Sequence, residues 1–151
     1  MKKLNKILSV MLVMCLSTII ICGNTADAKG KYVKSFTKTI TVKPGYQYYM
    51  KMDFKKASKV SVKVTPVGEQ ADRYLAVALG TETNYYFVTP NIESVTIKGK
   101  YKKGNGNLIF GNHAVKATKV KVTVTTKSAA VKYLSGDQSN GEAGWLYDEK
   151  I

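Results

Sequence analysis

Strict alternation of apolar and polar residues is what most constrains this chain. Lys59-Val60-Ser61-Val62-Lys63-Val64-Thr65 puts three valines on one side of an extended backbone and Lys, Ser, Lys and Thr on the other. Lys119-Val120-Lys121-Val122-Thr123-Val124-Thr125 repeats the arrangement. Successive side chains of a strand point to opposite faces, so a period of two marks a strand with one dry and one wet face; an amphipathic helix needs a period near 3.6. Valine and threonine, branched at Cβ, suit such a surface. Thr39-Ile40-Thr41-Val42 alternates likewise, and Tyr46, Tyr48, Met50, Met52 and Phe54 share one parity. Further strands are expected over residues 74–79, 84–89, 94–98 and 107–110. The breaks carry turn chemistry, most clearly at Lys43-Pro44-Gly45, Thr65-Pro66-Val67-Gly68 and Lys103-Gly104-Asn105-Gly106-Asn107. The expected fold is therefore all-β, a single antiparallel β-sandwich of jelly-roll type with about eight strands. Residues 56–65 and 116–125 also align with one another. They read either as similar hairpins in the two halves of the sandwich or as two Lys/Val/Thr strands that look alike.

The first 28 residues differ from the rest and read as a cleaved signal peptide. Lys2, Lys3 and Lys6 form a positive start, an apolar run extends from Ile7 to Cys22, and Ala26-Asp27-Ala28 offers the small-x-small pattern of a cleavage site before Lys29. The alternative is an uncleaved anchor, but the run is about as short as a spanning helix can be, and polar Gly23–Asp27 with the cleavage site follows it. Acylation at Cys22 would want a small residue before it, where Ile21 stands. Both cysteines, Cys15 and Cys22, fall inside this leader, so the secreted chain is expected to have no disulfide and no cysteine chemistry. The expected organisation is a signal peptide over 1–28, a sandwich domain over 29–134 and a flexible acidic tail over 135–151. No transmembrane segment is expected after cleavage.

Charge supplies the main functional signal. Residues 29–151 carry 21 basic and 9 acidic side chains, a net charge of +12; residues 135–151 contribute −3 of it and the body the remaining +15. Lys59 and Lys63 project from one strand, and Lys119 and Lys121 from its look-alike. Lys98, Lys100, Lys102 and Lys103 crowd a short stretch around Tyr101. Lysine on exposed strands is also a common device against aggregation, but a net of +15 with so few acids between the lysines points to a polyanion. Twenty lysines stand against one arginine. Arginine reads bases and phosphates bidentately, so sequence-specific nucleic acid is not expected. The abundant polyanions outside a Gram-positive cell are teichoic acids and other anionic wall polymers, and these are the expected partner.

Catalytic chemistry is sparse. His113 is the only histidine and stands in no nucleophile motif, and the body's acids, Asp53, Glu69, Asp72, Glu82 and Glu93, have no spacing that pairs them or builds a calcium loop. No enzyme activity, metal or cofactor is expected. Ten tyrosines follow the leader. Tyr49, Tyr86 and Tyr101 are candidates for stacking on sugar rings, each offering a flat apolar face with a polar rim. Trp145, Leu146 and Tyr147 make the acidic tail too apolar to be wholly solvated and are candidates to anchor a protein partner.

The run Phe36–Val42, then Pro44-Gly45-Tyr46-Gln47-Tyr48-Tyr49 and Ala57–Thr65, resembles the opening of secreted jelly-roll modules of the bacterial pre-peptidase C-terminal type and of small carbohydrate-binding β-sandwiches. Gly106-Asn107-Leu108-Ile109-Phe110 and Lys119–Thr125 are similar to their closing strands, so the resemblance spans residues 32–127. The Asp-x-Asp of the pre-peptidase type is not matched by Asp72-Arg73-Tyr74-Leu75, and no metal ligand is carried over. The resemblance implies an accessory or binding module. Three functions are thus carried forward: a secreted binding module for anionic envelope glycopolymer, a secreted protein-interaction factor such as an inhibitor or effector, and, last, a small hydrolase.

Overall fold

The structure, a computed structural model, describes residues 30–80 and 85–140. The chain forms β1 (Ser35–Val42), β2 (Gln47–Phe54), β3 (Ser58–Pro66), β4 (Leu75–Leu79), β5 (Tyr85–Val88), β6 (Val95–Tyr101), β7 (Gly104–Asn112), β8 (Thr118–Thr126) and β9 (Val131–Ser139). They build two sheets, β1-β8-β3-β6 and β5-β4-β7-β2-β9, in which every pairing is antiparallel. Only β4 and β5 follow each other within one sheet; at every other step the chain crosses to the opposite sheet. The all-β sandwich read from the alternation is the architecture found, with nine strands described.

Alternation also decides what fills the space between the sheets. The four-stranded sheet turns inward Phe36, Ile40, Val42, Val60, Val62, Val64, Ile97, Val120, Val122 and Val124, all buried. Its register sets Val64 opposite Val122 and Val62 opposite both Val124 and Ile97. The five-stranded sheet answers this shallow valine layer with longer side chains, Met50, Met52, Phe54, Leu75, Leu79, Leu108 and Phe110. At one end of the sandwich Asn112, fully buried, ties the layers together. Its Nδ2 donates to the carbonyls of Val42 (2.9 Å) and Lys116 (2.8 Å), and its Oδ1 accepts from the Ala114 amide (3.0 Å) and the Thr118 hydroxyl (3.1 Å). A buried amide with both ends satisfied stabilises; one with an end unmade costs its desolvation.

Four expectations are corrected. The turn expected over 103–107 is shorter: β6 and β7 are joined through Lys102 and Lys103, with Gly104 at φ +101°, and Asn105, Gly106 and Asn107 are strand. Gly106 faces inward, where an added Cβ would come within 2.6 Å of the Tyr101 ring and 2.8 Å of the Phe54 ring. Those rings are stacked at 4.6 Å, so this glycine makes room for an aromatic pair.

The second correction concerns the flexible tail expected from residue 135, since Ser135–Ser139 complete β9 against β2. Three of the residues that read as linker have a structural task. A Cβ at Gly136 would overlap the Tyr48 hydroxyl. Asp137 pairs with Lys51 at 2.7 Å. Gln138 donates to the Thr41 carbonyl (2.8 Å) and accepts from the Lys43 amide (3.1 Å).

Third, the two look-alike segments do not lie in opposite halves of the sandwich. They are β3 and β8, neighbours in one sheet. The fourth correction is to the stacking candidates and is taken up with the site. The expected signal peptide and the anchor residues Trp145, Leu146 and Tyr147 lie outside the described residues.

Candidate functional site: an acid-free lysine face

Because the inward parity of the four-stranded sheet is mostly apolar, its outward parity forms one continuous surface. Reading outward residues strand by strand, β1 offers Ser35, Thr37, Thr39 and Thr41; β8 offers Lys119, Lys121, Thr123 and Thr125. Outward from β3 stand Lys59, Ser61, Lys63 and Thr65, and from β6 Thr96, Lys98 and Lys100. The face is made of lysine and hydroxyl side chains, and no carboxylate among the described residues belongs to it. Six of the eight lysines singled out from the sequence come together here, all exposed.

Register turns these six into a track. Lys59 stands directly opposite Lys100, a position where side-chain roots are about 5 Å apart and like charges destabilise. Lys98 follows Lys100 two residues back on β6, about 7 Å along the strand. Lys98 is diagonal to Lys63, since Ser61 faces Lys98 and Lys63 faces Thr96. Lys63 is in turn diagonal to Lys121, since Thr65 faces Lys121 and Lys63 faces Thr123. Lys119 ends the series on β8. Each step spans about 5–8 Å.

Four of the remaining outward positions bind to each other in pairs. Thr37 and Thr123 share a hydroxyl hydrogen bond of 2.9 Å, and so do Ser35 and Thr125. One side of the face is thus a tied hydroxyl ladder and the other carries the charge. A shallow depression of about 450 Å³ opens in the charged part, lined by Lys59, Ser61, Lys98, Lys100, Thr125 and Lys127. A second of about 220 Å³ adjoins it beside Lys56 and Lys59. Lys102 and Lys103, the other two candidates, are exposed in the turn that follows Lys100 and Tyr101.

The tyrosines do not share this face. Tyr101, expected to be available for stacking, is buried, stacked on Phe54, and donates its hydroxyl to the Asn107 carbonyl at 2.6 Å. Tyr86 faces Val77 in register and packs on the core, so the outward residues of β5 are Tyr85 and Phe87. Tyr49 is half-buried on the outer side of the five-stranded sheet, where its hydroxyl donates to Gln47. The exposed aromatic pair is one that sequence reading missed: Tyr74 and Phe87, 42% and 37% exposed and stacked at 5.2 Å, with His113 edge-on to Tyr74 at 5.7 Å. The parity of Tyr85-Tyr86-Phe87 carried the signal, but a short strand does not say which parity is inward.

Few groups have ordinary proton affinities displaced. Burial lowers the pKa of His113 below its usual value. Burial, then the hydrogen bond with Tyr133 and the nearby charge of Asp137, raise that of Tyr48. Among the described residues no three His, Cys, Asp or Glu side chains gather as a metal site would require, and no helix is long and apolar enough to cross a membrane.

No family model and no curated protein matches this sequence. Among solved structures the chain is similar to the pre-peptidase C-terminal domain of a collagenase from Bacillus anthracis, at 13% identity over 60% of this chain and 89% of that one, with a TM-score of 0.44. It is similar to a CBM35 from Cellvibrio japonicus at 9% identity, over 70% of this chain and 75% of that one, with a TM-score of 0.41. A structure described as Xyl-CBM35 in complex with a glucuronic acid-containing disaccharide gives 12% identity over 59% of this chain and 70% of that one, with a TM-score of 0.42.

Proposed function

We propose that this protein is a secreted, non-enzymatic binding module that lies against an anionic cell-envelope glycopolymer through the outer face of the β1-β8-β3-β6 sheet. The observation that carries this reading is the unbroken track of six lysines with no carboxylate beside it among the described residues. Two physical points support it. Like charges set directly opposite, as Lys59 and Lys100 are, cost stability, and a bound polyanion removes that cost. A flat face of ammonium groups on flexible stems, with hydroxyls between them, attracts diffuse negative charge without reading a sequence. Phosphodiester- or carboxylate-bearing polymers space their charges on a scale that such a track meets. The reading of residues 1–28 as a signal peptide supports a location where those polymers are.

The test is cosedimentation of the protein with purified Gram-positive cell walls, with and without their anionic polymer, from roughly 50 to 500 mM salt, over which the Debye length falls from about 14 to 4 Å. Binding that requires the polymer and fades with salt is the expected result. Equal binding to stripped walls, or binding indifferent to salt, would overturn the proposal.

A further inference from the structure

Arg73, the one arginine of the sequence, is only 5% exposed. It sits in the β3–β4 loop, where Gly68 adopts φ +79° and its carbonyl accepts a 2.6 Å hydrogen bond from Arg73 Nη2. Among the described residues the buried Nε has no hydrogen-bond partner and no carboxylate pairs with the guanidinium; the ion pairs found there are Lys51–Asp137 and Lys132–Asp53. Guanidinium offers five N–H donors in a fixed fork and cannot shed its charge. Burying it without a counter-ion is costly, and an unmade buried donor calls for a partner.

The same arginine lines a pocket of about 510 Å³ between the β3–β4 and β5–β6 loops, with Gln70, Asn91, Glu69 and Glu93 among the other lining residues. The size falls within the range of small-molecule sites. Its polar groups are of two kinds. One buried cation stands at the wall, and two exposed carboxylates stand at the rim. A bare inorganic anion would meet the arginine but be repelled by Glu69 and Glu93. A neutral polyol would leave the arginine unpaired. A ligand that satisfies both carries an oxyanion at one end and hydroxyl donors at the other.

We infer that this pocket is a specific site for a hydroxylated organic oxyanion, a phosphoryl or carboxyl group on a polyol frame, whose charged end accepts from Arg73 and whose hydroxyls donate to Glu69 and Glu93. The site is independent of the lysine track. Its selectivity comes from one buried guanidinium rather than from summed surface charge, so its binding resists salt that abolishes binding to the face.

The test is isothermal titration of the purified protein with glycerol 3-phosphate, gluconate, inorganic phosphate and glycerol. At least one of the two organic anions is expected to bind with one-to-one saturation, at least tenfold more tightly than inorganic phosphate or glycerol. Arg73→Gln is expected to weaken that binding at least tenfold, and Lys59→Gln with Lys100→Gln to change it less than twofold. If Arg73→Gln does not fold, Glu69→Gln with Glu93→Gln decides, because both positions are exposed. That pair should raise inorganic phosphate binding at least threefold and erase the preference for the hydroxylated anion. Competition by a poly(glycerol phosphate) oligomer, measured in the lysine-face variant, would identify the ligand as a unit of a polymer; its absence would identify a free small molecule. A guanidinium merely solvated by water binds neither organic anion, and that result overturns the inference. Equal affinity for inorganic phosphate in the unsubstituted protein overturns it as well.

Discussion

The two outer faces of the sandwich carry lysines in opposite circumstances. On the five-stranded sheet Lys51 is paired with Asp137 at 2.7 Å, and Lys132 lies 3.9 Å from Asp53, which also accepts from the Tyr32 hydroxyl at 2.5 Å. Small residues share that face: Ala76 and Ala78 point outward yet are buried among their neighbours. On the four-stranded sheet six lysines have hydroxyls and one another as outward neighbours, with no carboxylate among the described residues of that face, and two of them stand opposite each other. A chain that used lysine only for solubility would have no reason to neutralise it on one face and concentrate it on the other. The difference is that the lysines of the four-stranded face lack the carboxylate partners that those of the five-stranded face have among the described residues, and unneutralised charge is what attracts a polyanion.

The comparison can be broken or sharpened at several points. The largest effect is expected in the scaffold both faces share. Asn112→Ala removes four hydrogen bonds at the end of the sandwich and should lower the unfolding free energy by about 2–4 kcal/mol in chemical denaturation. Below its unfolding temperature the variant should still bind polymer, because the face is untouched. Next, Lys63→Glu with Lys98→Glu should weaken polymer binding about tenfold or more at low salt, a loss of roughly 1.4 kcal/mol. Lys51→Glu with Lys132→Glu on the other face should change it less than twofold. Equal losses from the two pairs would mean that net charge alone matters.

A smaller effect separates function from stability within one residue. Lys100→Glu converts a repulsive cross-strand pair with Lys59 into an attractive one and should stabilise the fold by about 0.2–1 kcal/mol while weakening polymer binding. A variant neither more stable nor weaker in binding would return these lysines to the role of solubilising groups. The smallest effect lies at the loop after β7. Burial favours neutral His113 in the folded state, so the unfolded chain binds the extra proton first as pH falls below about 6.5. Stability should therefore decline as pH is lowered through that value, and less so in His113→Gln. Tyr48 acts at the other extreme: its raised pKa favours the protonated phenol in the fold, so stability is held below about pH 10 and lost as pH rises beyond it.

Much of the fold was legible because each strand of the four-stranded sheet repeats a two-residue pattern, and a one-residue slip would drive its valines into water. The same pattern made six of the lysines legible as outward, and register made them one track. What was not legible depended on partners distant in sequence. Ser135-Gly136-Asp137-Gln138 has the composition of a linker, and only Tyr48, Lys51, Lys43 and Thr41 give its residues a place in a strand. Gly104-Asn105-Gly106-Asn107 reads as a turn until Tyr101 and Phe54 are seen to need the space above Gly106. Arg73 was visible as a solitary arginine, but its burial and the pocket beside it arise from two loops that meet only in the folded chain.

The most direct measurement is a backbone NMR titration of the protein with a short poly(glycerol phosphate) at low salt. The expected result is a set of chemical-shift changes concentrated on Lys59, Lys63, Lys98, Lys100, Lys119, Lys121 and the hydroxyl residues between them, fading together as salt is added. Changes centred on the five-stranded sheet, or scattered evenly over every exposed lysine, would contradict the assignment of binding to the acid-free face.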